Sequence, residues 1–188
     1  MNEMIRKIRE WAQARNLING STAINQYAKL ISEVGETAAA IPQLAYADVA
    51  DGIGDSFVVL VIICTITGIN MEDCCSNVVL YTRANCPLYD NDRVAAQTAE
   101  LAWLIAALGK LGDALLKKDN ETGRQQVINA VRSLEHLAQT QGVTLQGCAA
   151  IAYDAIKDRK GVMYNGAFIK STDARYPEIL RELSMEEP

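Results

Sequence analysis

Apolar residues recur at helical spacing through almost the whole chain, and this periodicity limits the fold more than any other feature of the sequence. In the first segment Met4, Ile5, Ile8 and Trp11 follow one another at three- and four-residue steps, as on one face of an α-helix. A strand pattern is absent, except for a short extended pair in the tail that begins at Gly161. We therefore predict an all-α protein built as a helical bundle.

Turn residues and caps divide this pattern into successive helices. Ser21 or Thr22 is a suitable N-cap for a helix that runs to about Pro42, and a further helix is expected from near Ala47 to about Thr67. Breaks are expected at the segments 16–22, 68–70, 84–93 and 118–124 and at Gly142. A short helix is expected after Pro177.

Charge and cysteine content narrow the class of function. A net charge of −5 and a pI near 5.0 exclude a general nucleic-acid binder, because no basic stripe is present for phosphate contacts. The most apolar run, 56–66, is too short to cross a membrane and indicates a buried helix. The five cysteines show no metal-type spacing, which is typical of reduced core thiols in a cytoplasm. We predict a soluble, cytoplasmic protein that binds neither nucleic acid nor membrane.

The chain matches itself when it is shifted by 74 residues, without a gap. AKLISEVGE (28–36) falls on AWLIAALGK (102–110), and GINMEDC (68–74) falls on GVTLQGC (142–148). The match predicts an internal duplication in which two helical units pack as a pseudo-dimer. The expected organisation is a first repeat over 1–83, a linker over 84–93, a second repeat over 94–173 and a C-terminal extension over 174–188. Such a chain would be a monomer with an internal pseudo-dimer, or a homodimer.

Two pairs of acidic residues occur in the first repeat alone. Glu33 and Glu36 share one face of a helix, and Asp51 and Asp55 share one face of the next. The shift places all four on non-acidic residues, namely Ala107, Lys110, Gln125 and Asn129. One interpretation is a solvated face. The other is a single site for Mg²⁺, with Mn²⁺ as an alternative, because carboxylate oxygens are hard ligands.

These segments resemble a known family. QYAKLISEVGE (26–36), DGIGDSFVVL (51–60) and AYDAIKDRKGVMYNGAFIKSTD (152–173) are similar to the MazG-like all-α nucleoside triphosphate pyrophosphohydrolases, particularly the phage-type members. The family has an ExxE element and then an ExxD element. Here Gly52 stands at the Glu position of ExxD, so Asp51 is expected to substitute, with Asp48 as the weaker candidate.

The resemblance implies hydrolysis of a nucleoside triphosphate to a monophosphate and pyrophosphate. Glu33, Glu36, Asp51 and Asp55 would then bind the metal, and Glu33 or Glu36 would also act as general base. The substrate would contact Lys29, Lys157, Arg159, Lys160 and Asn165.

For several of these residues the sequence leaves a second role open. The basic residues after the last long helix also suit an exposed helix end, Asn165 suits a turn, and Lys29 suits an ion pair with Glu33. Trp11 and Tyr27 suit either base stacking or the core. His136 is expected at the surface or its boundary. The alternative function is a nucleotide-binding or helical interaction module whose catalytic site has decayed.

Overall fold

The computed structural model describes residues 1–78 and 92–185, which are mostly helical. The helices are α1 (Asn2–Ala14), α2 (Leu17–Gly20), α3 (Ala23–Ala40), α4 (Tyr46–Thr67), α5 (Met71–Ser76), α6 (Arg93–Lys117), α7 (Asn120–Thr140), α8 (Leu145–Ile156) and α9 (Tyr176–Met185). Between α8 and α9, β1 (Gly161–Tyr164) and β2 (Ala167–Lys170) pair as an antiparallel hairpin in which Gly161 faces Lys170. The predicted all-α class and the extended pair in the tail are confirmed.

Side-chain caps set the helix starts close to where the sequence predicts them. The backbone N–H of Asn25 donates to Thr22 Oγ1 at 3.1 Å, so Thr22 is the N-cap of α3. Asp119 caps α7 in the same way, and α7 therefore starts inside the segment 118–124 that was predicted as a turn. The short helix α2 lies in the predicted break at 16–22. Most of the predicted linker 84–93 lies outside the described residues.

Helix α4 lies at the centre of the bundle, packed against α3 on one side and α8 on another. By length and composition alone it could cross a membrane, but 78% of its most apolar 18-residue window is buried inside the protein. The burial comes from α1, α2 and α7 as well as from its two main neighbours. We therefore describe α4 as the core helix that the sequence predicts.

Two glycines let these neighbours approach α4 closely. A Cβ atom at Gly52 would overlap the hydroxyl of Thr37 on α3. A Cβ atom at Gly54 would overlap the carbonyl oxygen of Cys148 and lie 2.8 Å from the side chain of Ala152, both on α8. The two glycines therefore set how α4 is rotated between α3 and α8, and hence which of its side chains remain accessible.

One contiguous hydrophobic core includes residues from both halves of the chain. Cys64, Cys74 and Cys148 are buried in it as free thiols, as predicted for core cysteines. His136 is also buried, with 4% of its surface exposed, and its Nδ1 lies 3.4 Å from a carboxylate oxygen of Glu100. The prediction of a surface position for His136 was wrong, because the apolar face of α7 is wide enough to include it.

Candidate functional site

A cavity of about 650 Å³ opens between the two halves of the chain. Helix α3 provides Glu33 and Glu36, α4 provides Asp55, and the segment after α8 provides Arg159. The β-hairpin closes another side of the cavity, with Asn165 at its turn. Six of the nine predicted site residues, these five and Lys29, therefore line one cavity, whereas Asp51, Lys157 and Lys160 do not.

Glu33 is the most deeply buried carboxylate of the predicted site. Only 4% of its surface is exposed, and its Oε1 forms an ion pair with the Lys29 Nζ one helical turn earlier. Its backbone carbonyl accepts a hydrogen bond of 2.8 Å from Thr37 Oγ1. The sequence allows Lys29 either an ion pair with Glu33 or a contact with substrate. In the structure Lys29 pairs with Glu33 and also lines the cavity, so its position suits both roles.

Asp55 is held in an environment that disfavours its charge. Burial and, to a smaller extent, the neighbouring carboxylates of Glu33 and Asp51 together raise the pKa of Asp55 to about 6, against Lys29 and Arg159, which lower it. Glu33 of α3, Asp51 of α4 and Arg159, which follows α8, therefore all lie close enough to act on the Asp55 carboxyl group. A raised pKa of this origin is typical of functional clefts.

The other acids are more exposed. Glu36 lies at the cavity surface and accepts a hydrogen bond of 3.3 Å from Ser32 Oγ. Asp51 and Asp48 are exposed on α4, outside the cavity lining, although Asp51 is close enough to affect the pKa of Asp55. Among the described residues, no group of three or more His, Cys, Asp and Glu side chains is placed to hold a metal ion. The acids are thus close together without forming a preassembled ligand set.

The predicted substrate-binding cations divide into two groups. Arg159 is half-buried and lines the cavity. Lys157 instead pairs with Asp154 at 2.8 Å on the exposed side of α8, and Lys160 is exposed away from the cavity lining. Lys170 of β2 lines the cavity and was not predicted as a site residue. The period of a strand places it on the same face as Phe168, which also lines the cavity, and this alternation was the available indication.

The turn of the β-hairpin is tied to the start of α3. Asn165 and Gly166 both have positive φ values, 48° and 78°, as a two-residue hairpin turn requires. The carbonyl oxygen of Gly166 accepts a hydrogen bond of 2.9 Å from Ser21 Oγ, and that hydroxyl accepts one of 3.0 Å from Gln26 Nε2. Asn165 therefore has both of its predicted placements, in the turn and at the cavity.

Polar residues at the start of α3 were also missed. Asn25 and Gln26 line the cavity, and Gln26 continues the spacing of Lys29, Glu33 and Glu36 toward the N-terminus of α3. Steps of three or four residues keep these four side chains on one helix face. The same face therefore carries an amide end and an acidic end.

Trp11 and Tyr27 have different surroundings. Trp11 is half-buried, lines the cavity, and donates a hydrogen bond of 3.0 Å from Nε1 to the carbonyl oxygen of Ile156. Tyr27 is turned toward α6, where its hydroxyl donates to the carbonyl oxygen of Leu108 at 2.9 Å. Tyr27 also packs against Gly112 and does not line the cavity, so it joins α3 to α6.

Comparisons with known proteins give a partial match to a phage protein. An uncharacterized 18.2 kDa protein of the rep–hol intergenic region of Haemophilus phage HP1 (strain HP1c1) is 38% identical over 63 residues, which is 34% of this chain and 39% of the relative. The matched part is thus well under two thirds of the relative's length. No protein-family model matches the chain, and no solved structure matches it.

Proposed function

We propose that this protein is a metal-dependent nucleoside triphosphate pyrophosphohydrolase of the MazG-like kind, which releases a nucleoside monophosphate and pyrophosphate. The observation that carries the proposal is the shared cavity. It brings the glutamates of the ExxE helix and Asp55 together with Arg159 and Asn165 from the other end of the chain. Acidic groups beside cationic and amide groups are the combination that a metal-bound triphosphate requires.

The residues present fit a hard divalent cation, Mg²⁺ or Mn²⁺. Glu33, Glu36 and Asp55 offer carboxylate oxygens, and Asp51 is one helical turn from Asp55. The pKa of Asp55 is raised chiefly by burial and then by the acids Glu33 and Asp51, and a nearby cation would lower it again. Lys29 pairs with Glu33 and also lines the cavity, so its ammonium group would lie beside both the carboxylate and a bound phosphate. When bound, the cation supplies phosphate binding and a more acidic water molecule.

The chain's own groups then position the substrate and move one proton. Arg159 and Lys29 neutralise phosphate oxygens, and Lys170 adds positive charge at the hairpin side of the cavity. Glu33 or Glu36 accepts the proton of the attacking water, whose oxygen bonds to phosphorus while the bridging P–O bond breaks and pyrophosphate leaves. Glu36 is less constrained than Glu33, because its contact with Ser32 is long, whereas Glu33 is held by Lys29.

The proposal includes an ancestral duplication, supported by matching helix starts. Helices α4 and α7 begin 74 residues apart, and so do α5 and α8. Gly68 and Gly142, also 74 residues apart, follow α4 and α7 with positive φ values of 78° and 74°. The same shift that aligns the sequence therefore aligns the starts of two pairs of helices and the glycine that follows one of these pairs.

Reciprocal helix packing also supports the duplication. Helix α4 packs on α8, and its counterpart α7 packs on α5, the counterpart of α8. This reciprocal exchange is what a two-fold pseudo-dimer produces. We propose that one repeat retains the acids while the other contributes the basic segment and the hairpin to the same site.

A binding module with a decayed catalytic site is the second candidate. The ion pair between Lys29 and Glu33 and the lack of a preassembled acidic cluster in the described residues favour it. Melting curves with and without Mg²⁺ and a nucleoside triphosphate test both candidates for binding, since a ligand of the folded state raises its melting temperature. No shift with any canonical, deoxy or damaged nucleotide would contradict both.

Pyrophosphate release separates the two candidates. The wild-type protein with Mg²⁺ should release pyrophosphate from at least one triphosphate of the panel. Glu36→Gln should abolish the release, whereas Lys110→Glu, at the corresponding position of the second repeat, should change it little. Binding without release by the wild-type protein would favour the decayed module.

A further inference from the structure

The backbone at and just after the end of α8 is held by Trp11 of α1 and by Arg15, the residue that follows α1. Trp11 Nε1 donates to the carbonyl oxygen of Ile156 at 3.0 Å. Arg15 donates from Nε to the carbonyl oxygen of Arg159 at 2.8 Å and from Nη2 to that of Lys157 at 2.6 Å. Three carbonyl groups at the end of α8 are thus bound by a helix at the opposite end of the sequence.

The two side chains also support each other. The Arg15 guanidinium lies over the Trp11 ring, 5.0 Å from its centroid, and both residues are half-buried. The planar guanidinium presents its donors in a rigid fork, so it can bind two carbonyl oxygens at once in one orientation. Its positive charge also suits the C-terminal end of a helix, where unpaired carbonyl groups accumulate.

These contacts leave the Arg159 guanidinium available. Trp11 and Arg15 bind the carbonyl oxygens of Ile156, Lys157 and Arg159, so no basic side chain is needed to cap these three groups. Among the described residues, the Arg159 side chain makes no hydrogen bond or ion pair with a protein group, and it lines the cavity. Its backbone is therefore held on one side while its charge is presented on the other.

We propose that Trp11 and Arg15 are positioning residues, which hold the backbone of Arg159 so that its guanidinium meets a phosphate oxygen of the bound nucleotide. The inference rests on the proposed function. An arginine on an unanchored loop must lose conformational freedom on binding, and a displacement of about 1 Å at a reacting group can cost up to 10²-fold in rate. Anchoring from α1 removes both losses before the substrate arrives.

A double-mutant cycle tests this role. Arg15→Ala should lower kcat/KM for pyrophosphate release roughly tenfold in the wild-type background, with most of the loss in kcat. It should have almost no further effect in the Arg159→Ala background, because its action depends on that guanidinium. Equal losses in both backgrounds, or no loss in the first, would overturn the proposal. Arg6→Ala is the control, an exposed arginine of α1 whose ion-pair partners among the described residues are Glu3 and Glu10.

Two additions keep the test decisive. Arg15→Lys keeps the positive charge but lacks the forked donors of the guanidinium, so its kcat should lie between those of Arg15→Ala and wild type. If Arg15→Ala is too unstable to assay, Arg15→Lys takes its place in the cycle. The same cycle, read as the affinity for inorganic pyrophosphate with Mg²⁺, separates this inference from the proposed activity. A wild-type protein that binds pyrophosphate without hydrolysing nucleotides would refute the activity, and the binding cycle would still decide the positioning role. A wild-type protein that binds no pyrophosphate would overturn the positioning role as well.

Discussion

Replacing Asp55 with asparagine should stabilise the protein at neutral pH in the absence of metal and nucleotide. Burial, together with the smaller effects of Glu33 and Asp51, raises the pKa of Asp55 from its ordinary value of 3.8 to about 6. Between these two values the folded protein therefore binds more protons than the unfolded chain, and stability falls as the pH rises through this window. Above it, the folded protein carries the full cost of an ionised Asp55.

The size of the gain follows from that rise and from the exposure of the group. A rise of roughly 2 pKa units corresponds to at most about 3 kcal/mol. Asp55 is only partly buried, and solvent screening reduces this figure, so we expect about 1 kcal/mol for Asp55→Asn at neutral pH. For a chain of this size, 1 kcal/mol raises the melting temperature by roughly 2–4 °C.

The measurement is thermal unfolding of both proteins, without divalent metal, at several pH values from about 4 to 8. The difference between Asp55→Asn and wild type should be near zero at the acid end and reach its full size above the raised pKa. Asp51→Asn, on the exposed turn before, is the matched control and should give a smaller gain. A gain that does not vary with pH, or a loss at neutral pH, would refute this account. Under the proposed function Asp55→Asn should also lose pyrophosphate release, because it removes a carboxylate that is offered to the metal ion.

Three further predictions concern the packing that places the site. Gly54→Ala should destabilise the protein by about 1–3 kcal/mol in denaturant unfolding, because its Cβ overlaps the backbone of α8. The control Gly35→Ala meets nothing within 4 Å and should be neutral or stabilising; a similar loss in both would contradict this explanation. Gly52→Glu would create the ExxD spacing of the family that this segment resembles, but it should destabilise the protein, because the Thr37 hydroxyl fills that space; a variant as stable as wild type would disprove this. Tyr27→Phe should cost about 1 kcal/mol by loss of its bond to α6, and an unchanged melting curve would show that bond to be unimportant.

Local residue chemistry explains the parts of the fold that could be predicted. The start of α3 follows from Thr22, whose hydroxyl accepts an N–H group three residues later, and the hairpin turn follows from Asn165 and Gly166, which tolerate positive φ. Each of these needs only neighbouring residues. The start of α7 was misplaced because both a turn and a cap suit the polar segment at 118–124, and its capping by Asp119 was not recognised.

The candidate site was predictable only in part, because local residue chemistry explains only the groups that lie on one helix. Helical spacing groups Lys29, Glu33 and Glu36, because residues on one helix face stay together in any fold. The spacing of Asp51 and Asp55 places them together as well, but it does not say how far that face is covered. The close packing at Gly52 and Gly54 sets the rotation of α4, so that Asp55 enters the cavity and Asp51 stays outside it.

The sequence by itself determined the all-α class, the capped start of α3 and the residues that share each helix face, since these depend on backbone geometry and short-range hydrogen bonds. Only the tertiary structure decided that Arg159, rather than Lys157 or Lys160, lines the cavity, and that Lys170 joins it. The physical reason is that contacts between distant segments depend on how helices pack, and packing depends on the shapes of all the surfaces involved. Arg15 illustrates this, because no local pattern indicates that it holds carbonyl groups at the far end of the chain.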